Sequence, residues 1–439
     1  MSEKAKRLFS LLAAGFFACL SAFAQDGTYS AYSPYSTFAL GNRLSQGSAY
    51  NKTMGGVGIA TRNKKYLNYL NPASVTARDS LAVMIDFSMY QSNVYYKQYD
   101  ATSAMNLCNL NDIAFSFPLY KSSAFMVGIA PYSSAGYGFL EYLDDPEVLA
   151  QAGRVAKTSS GQGDIYQLFA AAGVTFWNRL SLGVQWQHYF GSIEKTTEVT
   201  MTKSAYTGLN SGYDIYINGN SLKLGLQYEQ PIGNFTVGVG ATYSFGGGMN
   251  GYVTDYSQSS STVSDTIRFN IDTLKASTGR VKFANELGLG ISLRYGEKWR
   301  AEFNYIYSDW SNTGIGEVPG FSNKTKTVDF RTTKSEEFRV GFEYVPNMND
   351  IRYYMRRCAY RVGAYYEKSY IMLNGQQVNA FGVTLGATLP IFKLYNGLTV
   401  GVDLGQRGSL TGSLTRERYV NFTVGLNAYD LWFHRHQYQ

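Results

Sequence analysis

The chain has 439 residues, of which 15% are aromatic and only 16% charged, with 45 glycines, 37 tyrosines and 26 phenylalanines. Its formal charge of +7 is spread along the chain without a basic cluster, so the sequence carries no electrostatic footprint for nucleic acid. The mean hydropathy of −0.21 does not oppose a membrane barrel, in which lumen-facing and lipid-facing residues alternate and no long apolar run is needed.

At the N-terminus Lys4, Lys6 and Arg7 precede an apolar run from Leu8 to Phe23, and Ala22-Phe23-Ala24 supplies a small-x-small cleavage pattern before Gln25. Residues 1–24 therefore read as a signal peptide, too short to be a spanning helix. Cys19 departs with it, in surroundings too poor in aliphatic residues for a lipoprotein site. Residues 25–80 lack sustained alternation and carry Ser-Pro-Tyr-Ser, Met-Gly-Gly-Val-Gly and Asn-Pro-Ala, which predicts a compact irregular segment.

From there the apolar residues recur at every second position, the period of a strand. Leu287, Leu289, Ile291 and Leu293 alternate with Gly288, Gly290, Ser292 and Arg294, and the same pattern runs through Leu180–Trp186, Val237–Phe245, Phe381–Leu389 and Val420–Leu426. Breaks at Pro, Gly, Asn and charge clusters divide 81–433 into fourteen strands, near 81–96, 109–119, 122–134, 160–176, 179–195, 213–229, 233–249, 281–295, 298–310, 328–345, 357–369, 376–389, 396–407 and 416–431. Connections after even-numbered strands are mostly tight. Those after odd-numbered strands are often long and polar, notably 135–159, 250–280 and 310–327, as in a barrel with a periplasmic N-terminus. In 141–157, Asp145 is placed to cap a short helix with Pro146 in its first turn. Residues 434–439 form a tail.

Export together with strands bearing one apolar face predicts an all-β fold, a transmembrane antiparallel barrel of about fourteen strands in a Gram-negative outer membrane. Glycines on the inner faces leave room for 25–80 to fold into the lumen as a plug. Cys108 and Cys358 fall at opposite ends of the barrel and are expected to stay unbridged, since a disulfide needs Cα atoms within about 7 Å.

Catalytic groups are scarce. His188 shares parity with Leu182, Val184 and Trp186 and reads as an exterior girdle residue, while His434 and His436 lie in the tail. No second convergent group accompanies them, so no enzyme is expected. Gly246-Gly247-Gly248 is followed by no P-loop lysine, and no metal-ligand spacing or cofactor motif is present.

Met54-Gly55-Gly56-Val57-Gly58-Ile59-Ala60 and Tyr69-Leu70-Asn71-Pro72-Ala73-Ser74 resemble the N-terminal hatch of the FadL and toluene-transporter family of outer-membrane proteins. Tyr360-Arg361-Val362-Gly363-Ala364-Tyr365-Tyr366, Asn374-Gly375, Phe381-Gly382 and Asp430-Leu431-Trp432-Phe433 resemble the form of that family found in the Bacteroidetes. The resemblance implies a fourteen-stranded barrel plugged by its hatch, with Met54, Gly55, Gly56, Gly58, Asn71, Pro72 and Ala73 as hatch residues. It implies passive uptake of hydrophobic compounds such as long-chain fatty acids, bound in a dry lumen and released sideways at a kink in the third strand. Pro131, Gly136 and Gly138 are the candidates for that kink, because proline cannot donate to a ladder; the plainer reading is that Pro131 ends the strand. Arg62, Lys64 and Lys65 depart from the more acidic stretch expected in the hatch. Expected partners are a hydrophobic small molecule, outer-membrane lipid and lipopolysaccharide, with the protein a monomer. A secretion-associated barrel handling exported proteins and an open porin are the alternatives.

Overall fold

The computed structural model describes residues 30–79, 81–120, 122–143, 145–203, 208–260, 265–322, 328–391, 396–412 and 414–431. The expected signal peptide, Cys19, Trp432, Phe433, His434, His436 and the tail lie outside them.

Fourteen antiparallel strands make the wall: β1 (Ala82–Gln98), β2 (Ala101–Tyr120), β3 (Ser123–Ser134), β4 (Asp164–Phe176), β5 (Leu180–Met201), β6 (Gly208–Ile232), β7 (Phe235–Phe245), β8 (Glu286–Tyr295), β9 (Trp299–Asp309), β10 (Lys334–Tyr344), β11 (Ala359–Leu373), β12 (Gln376–Pro390), β13 (Gly397–Arg407) and β14 (Arg416–Leu431). Each pairs with the next, and β1 pairs with β14 from Ala82↔Leu431 to Lys97↔Arg416, which closes the barrel.

Alternation decides which face meets lipid. On β8, Leu287, Leu289, Ile291 and Leu293 are exposed, while Gly288, Gly290 and Ser292 are buried. Exposed Val239, Val340, Phe381, Leu385, Phe422 and Val424 continue that belt around the wall. The ten residues of β8 and eleven of β7, β9, β10 and β13 match the 9–11 that a tilted strand needs to cross a bilayer. Aromatic rings mark both rims of the belt. Phe235, Tyr295, Trp299 and Phe342 form a chain of contacts at the end with the tight turns, and His188 stacks between Trp186 and Phe190 toward the end with the long loops.

The loop end is more ordered than the alternation predicts. Residues 250–280, read as a loop, form strands Met249–Ser260 and Asp265–Leu274, which extend the sheet from the upper half of β6. Residues 135–159 likewise hold strands Tyr137–Leu143 and Val155–Gln162, paired through β5 residues Glu194–Met201. Between them lies helix Pro146–Ala152, capped by the Asp145 carboxylate, which accepts from Glu147 N. β2 begins at Ala101, eight residues before its expected start, after a two-residue turn. Neither Cys108 nor Cys358 forms a disulfide.

Candidate functional site: the inner face and the side seam

Residues 30–79 touch the inner face of all fourteen strands. The wall makes room for them with glycine. A Cβ on Gly240 would fall 2.1 Å from Ile59 O, one on Gly183 2.3 Å from Pro72 C, and one on Gly363 2.2 Å from Gly55 N. Gly341, Gly401 and Gly425 meet Met54, Thr53 and Ala49 just as closely. These positions share the parity that the exterior leaves for small residues, so one alternation serves the apolar exterior and the segment inside.

The residues named from sequence occupy that contact. Gly55 and Gly56 have φ of +72° and +76°, in the region that glycine adopts at no steric cost. Gly55 N donates to Thr384 Oγ1 at 2.8 Å, and its carbonyl accepts from Arg339. Met54 is fully buried, and Gly58 O accepts from Asn68. The Asn71 side chain caps the turn Pro72–Thr76 by accepting from Ala73 N. Its Nδ2 donates to Ile59 O at 2.8 Å and to Leu226 O at 3.1 Å, which ties the turn to β6 as well.

Opposite charges hold the segment's basic residues. Lys65 lies 2.6 Å from Glu297, Arg62 3.6 Å from Glu229 and Lys64 3.8 Å from Asp79. The wall therefore supplies the acidic partners of Lys65 and Arg62, while Asp79 of the segment itself lies nearest Lys64. The carboxylate of Glu302 accepts from both Ala60 N and the Thr61 hydroxyl, and Arg43 reaches Glu337, itself paired with Arg339 at 2.8 Å. Arg361 pairs with Glu343 at 2.8 Å while covering the stacked rings of Tyr50 and Tyr66. The wall partners of Arg43, Ala60, Thr61, Arg62 and Lys65 were not legible in the sequence, because each lies more than 150 residues from its contact.

The wall is uneven at one place. β2 pairs with β1 from Ser116 to Ala101, yet with β3 only from Tyr120↔Ser123 to Ile113↔Ile129. Beyond Ile129, β3 keeps its partner on β4, through Pro131↔Tyr166 and Ser134↔Asp164, with a bulge at Tyr132. Its other side turns to the N-terminal segment, where Ser133 and Ser134 pair with Arg43 and Asn42, and Gly136 bridges Tyr32. Gly138 O accepts from the Tyr32 hydroxyl. Pro131 thus sits beside the split rather than at the end of its strand. Ser30 joins the two banks: its N and Oγ donate to Asp164, and its carbonyl accepts from Tyr90 OH and Asn109 Nδ2.

The space left inside is small and lined by polar and apolar groups together, with Ile59, Tyr69, Tyr132, Phe283 and Trp310 among the latter. One cavity of about 100 Å³ is lined by Arg43, Gln167, Gln187, Lys223, Glu286 and Glu337. Another of about 170 Å³ is lined by Lys52, Arg339, Glu367, Asp403, Arg407 and Glu417. Pockets for drug-sized ligands usually run about 300–1,000 Å³, so these two cavities are small for such a ligand. Toward the loop end the interior is apolar but filled, by Phe38, Leu40, Phe283, Trp310, Phe321 and Phe330. Among the described residues no group of three or more His, Cys, Asp and Glu is placed to hold a metal ion.

The wall is a closed barrel of fourteen antiparallel strands, and solved structures of hydrophobic-compound channels share that fold. A monoaromatic hydrocarbon channel, CymD, superposes with a TM-score of 0.57 at 11% identity, over 90% of this chain and 100% of that one. The Pseudomonas putida toluene transporter TodX gives 0.58 at 12% identity, over 89% and 100%, and a Pseudomonas aeruginosa FadL homologue 0.58 at 9%, over 90% and 100%. At such identities the likeness is one of fold. Residues 5–439 match the BamG family model, and the chain belongs to the BamG family. No curated protein matches it in sequence.

Proposed function

We propose that this protein is an outer-membrane barrel that passes hydrophobic compounds sideways, along the seam between β2 and β3. Residues 25–80 act as a plug and 81–433 as the wall, with residues 1–24 removed on export. The observation that carries the reading is the one-sided loss of the β2–β3 ladder beside Pro131, where β2 keeps its pairing with β1 and β3 its pairing with β4. Channels of the same fold are described as carrying toluene and other monoaromatic hydrocarbons. Long-chain fatty acids are the finer proposal. With the loop-end interior filled and the remaining cavities small, the cargo would follow the seam in contact with lipid and lipopolysaccharide rather than a wide central shaft. The protein works as a monomer, with no cofactor and no chemistry of its own.

Changing Pro131, Gly136 and Gly138 to valine favours a continuous strand. Uptake of a labelled fatty acid or of toluene into proteoliposomes should then fall while the barrel stays folded, as judged by its heat-dependent gel migration. Full uptake by that variant would remove the sideways path.

A second reading, a barrel that handles exported proteins, is favoured by the same filled interior, which leaves the surface as the working part. Absence of uptake of every hydrophobic probe by the wild-type protein would shift the assignment to it.

A further inference from the structure

The split leaves strand edge as well as a gap. The upper half of β2 is paired with β1 on one side, and among the described residues no strand lies against Ala101–Leu107 on the other. Around the loop-end rim the strand after β2 is Tyr137–Leu143, which pairs with Val155–Gln162 and through it with β5. On its β2 side, Tyr137–Leu143 is engaged only near its start, where Tyr32 reaches Gly136 and Gly138. Phe139–Leu143 has no strand there. Two edges therefore flank the split.

Exposed sheet edges are usually guarded by lysine, proline or inward-pointing charge. Ala101-Thr102-Ser103-Ala104-Met105-Asn106-Leu107 has none of these, and Phe139–Leu143 has the single charge of Glu141. Ala101–Ala104 are exposed and small, so a neighbouring backbone can approach. Across the split, Phe139, Leu140, Tyr142 and Leu143 are all exposed. Phe139 meets the Tyr137 ring and Tyr142 carries Arg154 over its face, but each of the four keeps about two-fifths or more of its surface exposed. A bare ladder of amides and carbonyls beside an apolar strand is complementary to one kind of partner, an extended peptide that supplies backbone hydrogen bonds and apolar side chains together.

We propose that the split wall takes up an extended β-strand of a partner polypeptide, hydrogen-bonded to the edge of Ala101–Leu107 and packed against Phe139, Leu140 and Leu143. This site does not depend on passage of hydrophobic compounds, so its failure would leave that reading untouched.

The test uses the full-length protein in nanodiscs. The probe is a fluorescent decapeptide copying Met89–Gln98, the strand that already pairs with the far edge of β2. Saturable binding is expected, with at least a tenfold loss on full N-methylation of the peptide and a similar loss in Thr102→Lys/Ala104→Lys. A cysteine-tagged probe should form a disulfide with Ser103→Cys and not with Leu289→Cys on the lipid face. Three results would each overturn the proposal: no saturable binding, equal binding of the N-methylated peptide, or equal trapping at both cysteines. Heat-dependent gel migration of each variant separates loss of the site from loss of the barrel.

Discussion

The guanidinium of Arg361 lies 2.8 Å from Glu343 and 4.5 Å from the centre of the Tyr50 ring, so one cation on β11 holds a wall carboxylate and an aromatic ring of the N-terminal segment at once. Its side chain is fully buried. Arg361→Met leaves Glu343 with only the distant Arg300, at 4.0 Å. Breaking a buried pair costs about 3–5 kcal/mol, whereas replacing both partners with apolar residues costs much less. Thermal unfolding in detergent should therefore show a large loss for Arg361→Met and substantial recovery in Arg361→Met/Glu343→Leu. Equal loss in both would mean that the ring contact, rather than the charge pair, dominates.

Gly240→Val would press a side chain into the carbonyl oxygen of Ile59, which backbone cannot relieve by changing rotamer. Overpacking of this kind costs about 1–3 kcal/mol. Gly316→Ala is the control, since nothing lies within 4 Å of its Cβ. The first should lower the unfolding temperature and speed proteolysis within 49–75; the second should do neither.

Asn71→Ala removes the cap on Ala73 N and the donations from Nδ2 to Ile59 O, Leu226 O and Ala241 O. A lost cap is worth about 1 kcal/mol and each unmade buried hydrogen bond at least as much. Hydrogen exchange of amides in 59–76 should quicken by ten- to hundredfold, with strands β8–β14 unaffected. Unchanged exchange would make the Asn-Pro-Ala turn self-sufficient.

Leu289→Arg places a charge in the exterior belt, where Leu289 is 45% exposed. The cost near the bilayer midplane is about 2–4 kcal/mol, to be read from urea unfolding in liposomes. Ser292→Ala on the inner face should be mild by comparison.

Deleting residues 40–70 removes most of the contacts with the inner wall. If these residues plug the barrel, liposomes carrying the shortened protein should release small polar solutes that the full-length protein retains. Retention with the barrel still folded would mean that the loop-end core seals it alone.

The strands of the wall were legible because lipid demands a strict alternation, and residues such as Leu289 and Gly290 state it unambiguously. Where lipid does not press on the chain the signal fades. Ala101–Leu107 is small and polar, so the outer half of β2 went unread. Thr254, Asp255, Ser257 and Gln258 look like a loop and become a strand only because β6 runs 25 residues and offers an edge. Met54, Gly55, Gly56 and Asn71 were named by resemblance, but the wall groups that they touch were not. Nothing local to Ile59 or Ala60 indicates that Gln227 and Glu302 receive them.

Contact of one N-terminal segment with all fourteen strands also constrains the order of assembly. Thr53 and Met54 are wedged against β10, β12 and β13, and Gly55 bonds to Thr384 some 329 residues later in the chain. A finished cylinder offers no opening through which so close a fit could be threaded. With so close a fit the segment is expected to act as a mandrel, in place before the ladder between β1 and β14 zips. Contacts so distant in sequence are slow to form, so the rate of closure should depend on how well the mandrel is shaped before the final strand arrives.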